Sequence, residues 1–356
     1  MKLIHCADLH LDSPMESNLS ATQAKERKNE ILGTFARLLQ LASESRVDGV
    51  LISGDLFDSR HITKKTERYV LDLIRKYPDL SFFYLAGNHD RGSVLSELDD
   101  TQRPENLYLF GDVWQSYRLG DVVITGSEAP DLDALELEES AINIVMLHGQ
   151  ETSERGVDKR DVIRFSKLKN KHIDYIALGH LHTYRTAQID ERCLACYSGC
   201  LEGRGFDECG QKGFVLLEIE VGKITHRFVP IARRELYTIS CDITGFETRM
   251  DLEERVMAAV SELPASGLVK VILTGYCRAE QSKDIDYLLS ILSTRFYFAK
   301  IYDETRLLIR PEDYRNDISL KGEFVRRVLE SDLSEIEKER VLACGLRALC
   351  GEEVEL

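Results

Sequence analysis

The chain has no apolar run near the roughly 20 residues that a membrane helix needs, so no membrane partner is expected. It lacks a signal-peptide pattern as well. Met1-Lys2-Leu3-Ile4-His5 runs straight into a strand-like segment, and cytoplasmic residence is the expectation. A disulfide framework is missing too. The nine cysteines are an odd number in 356 residues, and Cys6, Cys241 and Cys277 lie inside apolar strand-like runs, so reduced thiols are expected. Positive charge is scarce: Lys and Arg number 46 against 61 Asp and Glu, a net charge of −15. That argues against a general nucleic-acid coat, which would be basic. It does not exclude a local basic groove, and it suggests that any grip on nucleic acid is shared with a partner protein. There are no internal repeats, low-complexity tracts or long Gly/Ser linkers.

What is present reads as an ordinary globular protein, 43% hydrophobic and 30% charged. The length allows about two domains at roughly 150 residues each. Apolar positions at helical spacing predict helices over 21–45 (Ile31, Phe35, Leu38, Ala42) and 63–76 (Val70, Leu71, Ile74). Strand–helix–strand order at the start predicts a parallel α/β core. Strands then follow closely at Val122–Thr125, Ile142–Leu147, Tyr184–Ile189, Phe214–Val221 and Ile224–Pro230, which fits a second sheet packed on the first. Val221-Gly222-Lys223-Ile224 looks like a hairpin. Near residue 232 the pattern restarts as a small α/β module, and beyond Pro311 two helical segments are expected, about Leu320–Glu330 and Ser334–Cys350. The expected domains are 1–232, 233–310 and 311–356.

Five short segments end apolar strand-like runs and carry metal-ligand residues: Asp8-Leu9-His10, Gly54-Asp55-Leu56-Phe57-Asp58, Gly87-Asn88-His89-Asp90, Leu147-His148-Gly149 and Gly179-His180-Leu181-His182. Loops at one end of a sheet converge on a point, which is how a two-metal hydrolytic centre is assembled. A pair of ions needs a bridging ligand, and a carboxylate with two oxygens suits it; Asp55 is the candidate. Asp8, His10 and His182 would complete one site, and Asn88, His148 and His180 the second. Mixed oxygen and nitrogen ligands suit Mn²⁺, Fe or Zn²⁺ better than Ca²⁺ or Mg²⁺. His89 is left over to donate a proton to a leaving group, oriented by Asp58 or Asp90. Gly54, Gly87, Gly149 and Gly179 let the loops approach closely. His5, His61, His172 and His226 read as structural or surface residues. Cys193, Cys196, Cys200 and Cys209 lack the second close pair of a zinc site.

In this order the motifs resemble the calcineurin-like metallophosphoesterase superfamily. More narrowly, His5 to Pro14, Gly54 to Asp58, Asp174 to His182 and Tyr197-Ser198-Gly199-Cys200-Leu201-Glu202 resemble SbcD-type DNA repair exonucleases, the bacterial relatives of the Mre-type double-strand-break nucleases. Ser198 and Cys200 depart from that family's Tyr-Pro-Gly-Ser-Leu-Glu, and Glu208 to Gly213 resembles its following Glu-x-Gly-x-x-Gly. The resemblance implies a four-layer αββα sandwich, two Mn²⁺ ions and phosphodiester cleavage in DNA. It implies a small capping domain, here about Leu236–Tyr302, and terminal helices that dock on an SbcC-like coiled-coil ATPase. Homodimers form in such nucleases, and helix 21–45 is the candidate surface. Arg91, Arg204, Arg233 and Arg234 are candidates to meet DNA backbone. The rival reading is a phosphatase or phosphodiesterase for small molecules, which shares every ligand.

Overall fold

The computed structural model describes residues 1–15, 19–58, 62–90, 95, 98, 103–152, 162–278, 281, 283–308 and 311–349. His61, Arg91 and Cys350 therefore lie outside the described residues. The chain divides into two compact units, Met1–Glu235 and Leu236–Leu356. No helix among the described residues is long and apolar enough to cross a membrane.

In the first unit the opening strand β1 (Lys2–Cys6) is followed by β2 (Gly49–Ser53), β3 (Ser81–Leu85) and β4 (Leu107–Leu109), all parallel. Two helices cross between them, α1 (Ala21–Glu44) and α2 (Lys64–Lys76). Ser20 and Gln23 close a capping box at the start of α1, and Thr63 caps α2. The helices bury one stripe, with Phe35, Leu38, Val70 and Ile74 fully covered. Each such side chain contributes roughly 1.5–3 kcal/mol. β1 has no exposed face, because Ile4 and Cys6 pack toward the helices while Leu3 packs toward a second sheet.

That second sheet runs β5 (Gln115–Leu119), β6 (Val122–Gly126), β7 (Ile142–His148), β10 (Tyr175–Gly179), β12 (Leu194–Tyr197) and β11 (Arg185–Gln188) in spatial order, with the short pair β8 (Gln150–Glu151) and β9 (Val162–Ile163) set apart. Its four central strands are parallel and its two edges antiparallel. Ile124, Ile144, Met146 and Ala177 meet Leu51, Phe83 and Val215 between the sheets. Among the described residues, 3₁₀ turns at Leu132–Ala134 and Phe165–Lys167, with loop residues such as Ile173, cover Val145, Leu147 and Ile176 on the outer face of this second sheet. Strands β13 (Gly213–Glu220) and β14 (Lys223–Pro230) form the expected hairpin, but they close the far edge of the first sheet rather than joining the second as expected, because β13 pairs antiparallel with β1. Val221 and Gly222 form its two-residue turn at φ 48° and 76°.

A buried ionic network ties α1 to the end of this unit. Arg27, fully buried, donates to Glu30 at 2.6 Å and to Glu202 at 3.0 Å. Glu202 also accepts from Thr34 Oγ1 and from the Arg233 backbone N–H. Arg234 is held by Glu26 and Glu30.

The second unit has a parallel sheet of β15 (Leu236–Asp242), β16 (Leu268–Thr274) and β18 (Phe298–Asp303), with the two-residue strands β17 (Tyr276–Cys277) and β19 (Arg306–Leu307) paired beside it. Helices Arg249–Ala259 and Ile285–Arg295 cover one face through Leu252, Val256, Leu288 and Leu292. Terminal helices Leu320–Leu329 and Glu335–Leu349 pack together through Val325, Val328, Leu342 and Leu346. Ser334 and Glu337 exchange hydrogen bonds at the start of the second.

Candidate metal centre

Every one of the five motifs leaves the carboxyl end of a parallel strand: β1, β2 and β3 in one sheet, β7 and β10 in the other. The loops cross-brace one another. Asp8 N–H donates to Gly54 O at 3.0 Å and His10 N–H to Asp55 O at 2.9 Å. Four motif residues that are not glycine stand in the left-handed region: Asp8 (φ 54°), His10 (44°), Asp55 (51°) and His180 (99°). Each such residue costs on the order of 1–3 kcal/mol, and such strain clusters at functional sites. Close approach also demands glycine at Gly54, Gly87 and Gly179, and a Cβ on Gly87 would strike Asp55. A Cβ on Gly54 would strike the His148 ring, and one on Gly179 would strike the Ser53 carbonyl.

Asp8 is fully buried, and both its oxygens accept from the His180 backbone N–H, at 2.8 and 3.0 Å. Burial pushes its carboxyl up to about 6, against the pull of His148 and His182. His10 Nε2 lies 3.2 Å from His182 Nε2 and 3.7 Å from Asp55 Oδ2. Burial, then the Arg204 charge, hold His10 down to about 2. Asp55 Oδ1 accepts from the His89 N–H at 2.9 Å, while Oδ2 lies 3.3 Å from His148 Nε2. Burial acts to raise Asp55, but His148 and His10 outweigh it and keep the carboxyl well below its usual range. Asn88 Oδ1 is 3.0 Å from His148 Nε2, and the His180 ring stands edge-on to His148 at 5.4 Å. His89 faces the rim with its side chain 44% exposed; its Nδ1 is 4.0 Å from Asp58 Oδ1 and its ring 4.9 Å from that of His10.

The donor set fits divalent ions. Among the described residues, two groups of ligand atoms each lie within 4.8 Å of one another: Asp8, His10 and His182, and Asp8, Asp55 and His148. His148 Nδ1–H donates to the Ser53 carbonyl at 3.0 Å, so Nε2 of the neutral ring carries a lone pair. That lone pair faces Asp55 Oδ2 and Asn88 Oδ1, three acceptors converging with no donor among them. A shared cation satisfies all three. In its place the cluster calls for a proton: burial opposes the charge, yet Asp55 and Asp8 push His148 up to about 9. His10 and His182 likewise turn ring nitrogens toward each other.

The comparisons with known proteins agree with this arrangement. The family model for calcineurin-like phosphoesterases matches residues 1–184. The chain belongs to that family. It is 26% identical to an uncharacterized metallophosphoesterase, YhaO of Bacillus subtilis, over 77% of this chain and 72% of that one. It is 26% identical to the DNA double-strand break repair protein Mre11 of Sulfurisphaera tokodaii, over 67% of this chain and 65% of that relative, so the match spans slightly less than two thirds of it. A third relative is a subunit of the nuclease SbcCD of Staphylococcus saprophyticus, 25% identical over 65% of this chain and 69% of that one. As a metallophosphoesterase, the chain is a hydrolase of phosphate esters whose family uses a dinuclear metal site.

Two supporting roles were not legible in the motifs. Glu208 Oε1 accepts from His182 Nδ1–H at 2.6 Å, fixing the tautomer that aims Nε2 inward. Arg204 donates to the same carboxylate at 2.9 Å and its backbone N–H at 2.7 Å, so this candidate DNA contact is engaged inside the site. Asp90 does not face His89. Its buried carboxylate accepts from the backbone N–H groups of Leu56, Phe57 and Gly87, at 3.2, 2.8 and 2.9 Å. Asp58 is the acid near His89. No cysteine joins a ligand group among the described residues; Cys193, Cys196 and Cys200 are buried thiols that burial pushes up. His172 and His226 are exposed, and His5 is buried against Tyr175.

Proposed function

We propose that the chain is a phosphodiesterase acting on DNA, the nuclease subunit of a break-repair assembly with exo- or endonuclease activity. The observation that carries the chemistry is the pair of ligand groups sharing Asp8, with His89 outside both groups and its side chain 44% exposed. The likeness to a double-strand break repair protein and to a nuclease subunit supports DNA as the substrate. One ion is assigned to Asp8, His10, Asp55 and His182, the other to Asp55, Asn88, His148 and His180. Mixed oxygen and imidazole ligands favour Mn²⁺, with Fe or Zn²⁺ also suited.

A bound pair of ions supplies Lewis acidity toward the phosphoryl group and activates water. The chain's own residues do the rest. Asp55 Oδ2 lies 3.7 Å from His10 Nε2 and 3.3 Å from His148 Nε2 and would serve as a ligand to both ions. Asp8 locks the β10 loop through the His180 N–H, and Glu208 holds His182 in one tautomer. His89, with Asp58 behind it, donates a proton to the leaving oxygen at the rim. Residues 1–232 form the catalytic domain in this reading, 233–310 the cap, and 311–356 the segment that docks on an SbcC-like coiled-coil ATPase, in the cytoplasm and with a homodimer through α1.

A Mn²⁺-dependent assay on end-labelled single- and double-stranded DNA tests this, with p-nitrophenyl phosphate alongside and His89→Ala as control. Shortening of DNA that is lost in the variant supports the nuclease reading. Brisk monoester hydrolysis with intact DNA, with and without an added coiled-coil ATPase, overturns it in favour of a small-molecule phosphatase.

A further inference from the structure

We infer that Arg27 of α1 is a positioning residue for the metal centre, acting on His182 through the Gly203–Arg204 peptide and Glu208. The two polar groups of that peptide are held from opposite sides. Arg27 Nη2 donates to the Gly203 carbonyl at 3.0 Å. The Arg204 N–H, in the same peptide plane, donates to Glu208 Oε2 at 2.7 Å. Glu208 Oε1 in turn accepts from His182 Nδ1–H at 2.6 Å. One unbroken run of hydrogen bonds thus joins a guanidinium on a helix to the imidazole of a candidate ligand.

A peptide unit is planar and rigid, so fixing its carbonyl fixes the direction of its N–H. That direction would otherwise be loose. Gly203 and Gly205 bracket Arg204, and glycine restricts the backbone least. Donation into the carbonyl also polarises the peptide and strengthens the bond that its N–H makes beyond. The guanidinium itself is held at both terminal nitrogens. Nη1 donates to Glu30 Oε2 at 2.6 Å, and Nη2 donates to Glu202 Oε2 at 3.0 Å as well as to Gly203. Arg27, Glu30, Glu202 and Glu208 are all buried. Buried ion pairs are weak evidence for stability, since apolar residues of like volume often serve as well. A relay is different: it needs the charge and the planar fork of an arginine, which an apolar side chain lacks.

The inference rests on the proposed assignment of His182 as an ion ligand, and not on DNA as the substrate. The test is calorimetric titration of Mn²⁺ into the full, metal-free chain, with circular dichroism and urea unfolding in EDTA to follow the fold. Arg27→Lys keeps the charge but not the fork. It should weaken Mn²⁺ binding about ten-fold, the lower end of what a ligand's supporting partner contributes. Arg27→Gln carries the same expectation and serves where the lysine variant does not fold. Thr34→Val removes a different hydrogen bond of the same network, from Thr34 Oγ1 to Glu202 Oε1 at 2.6 Å. It should lower stability and leave Mn²⁺ affinity at the wild-type level. The double variant Arg27→Lys/Glu208→Gln should bind no more weakly than Glu208→Gln alone, because residues on one path do not add. Additive losses overturn the inference, since Arg27 would then act by another route. So does wild-type affinity in Arg27→Lys, or an equal loss in Thr34→Val, which would make the network a general support of the fold. Full Mn²⁺ affinity in a His182→Ala control strikes the ligand assignment and the inference with it, whereas affinity lost in His182→Ala and kept in Arg27→Lys strikes the relay alone.

Discussion

His182 shows how a ligand depends on a contact that motifs do not reveal. Its Nε2 points inward only because Nδ1 is held by Glu208, itself kept well below the usual carboxylate range by His182 and Arg204 against the opposing effect of burial. Loss of such a partner typically costs 10- to 100-fold in metal affinity. Glu208→Gln should therefore weaken Mn²⁺ binding by about that factor in a calorimetric titration, with the far-ultraviolet circular dichroism unchanged. His89 calls for the opposite separation. It sits on the rim rather than among the ligand groups, so His89→Ala should lower kcat about 10²–10⁴-fold while Mn²⁺ content stays at the wild-type level. A fall in metal content would make His89 a ligand and remove it as the proton donor.

At the scale of elements, the loops after β2 and β3 are joined by one carboxylate. Asp90 satisfies three buried backbone N–H groups, two from the first loop and one from the second. Each left unsatisfied costs about 1–3 kcal/mol, so Asp90→Ala should destabilise the chain by about 3 kcal/mol or more in urea unfolding and release Asp55 and Asn88 together. The β13–β14 turn makes the reverse prediction. Val221 is fully exposed and holds φ 48°, a conformation that a β-branched residue resists. Val221→Asn gives the Asn-Gly pair such turns favour, and should raise the urea midpoint by the equivalent of about 1 kcal/mol with an unchanged m-value.

The same elements show what a sequence reveals. The five loops were legible because each pairs an apolar run with ligands a fixed few residues later, a purely local pattern. The hairpin and the caps of α1 and α2 are local as well. Glu208 lies 26 residues from His182, and nothing in the spacing says that they touch. Asp90 adjoins His89, which suggested that it orients that ring; its side chain instead turns inward to the backbone, a choice made by the tertiary fold. Arg204 and Arg234 read as candidates to meet DNA backbone until Glu208, Glu26 and Glu30 are placed beside them. The 3₁₀ and loop cover of the second sheet was unreadable for a related reason: Ile173 and Leu132 gain their partners only once β7 and β10 are paired.

Across the whole first unit, the two sheets meet at a buried polar pair as well as at apolar residues. His5 Nδ1 lies 2.9 Å from the Tyr175 hydroxyl, and both residues are fully buried. Burial, slightly offset by a hydrogen bond with the Leu178 backbone, holds His5 down to about 3 from an ordinary 6.5. The sign follows from proton counting. Between those values the unfolded chain binds a proton that the folded chain does not, so stability rises with pH and falls as the solution is acidified. The contribution of the neutral ring is whole above about 6.5 and is lost progressively toward about 3, with a limiting slope of roughly 1.4 kcal/mol per pH unit. His5→Gln keeps a polar group opposite Tyr175 and does not titrate. Urea unfolding in EDTA from pH 7 to 5 should therefore show the wild type losing roughly 1–2 kcal/mol more than this variant. Parallel loss in both would place the acid sensitivity of the sandwich elsewhere, at another ring that burial keeps neutral, such as His10, rather than between the sheets.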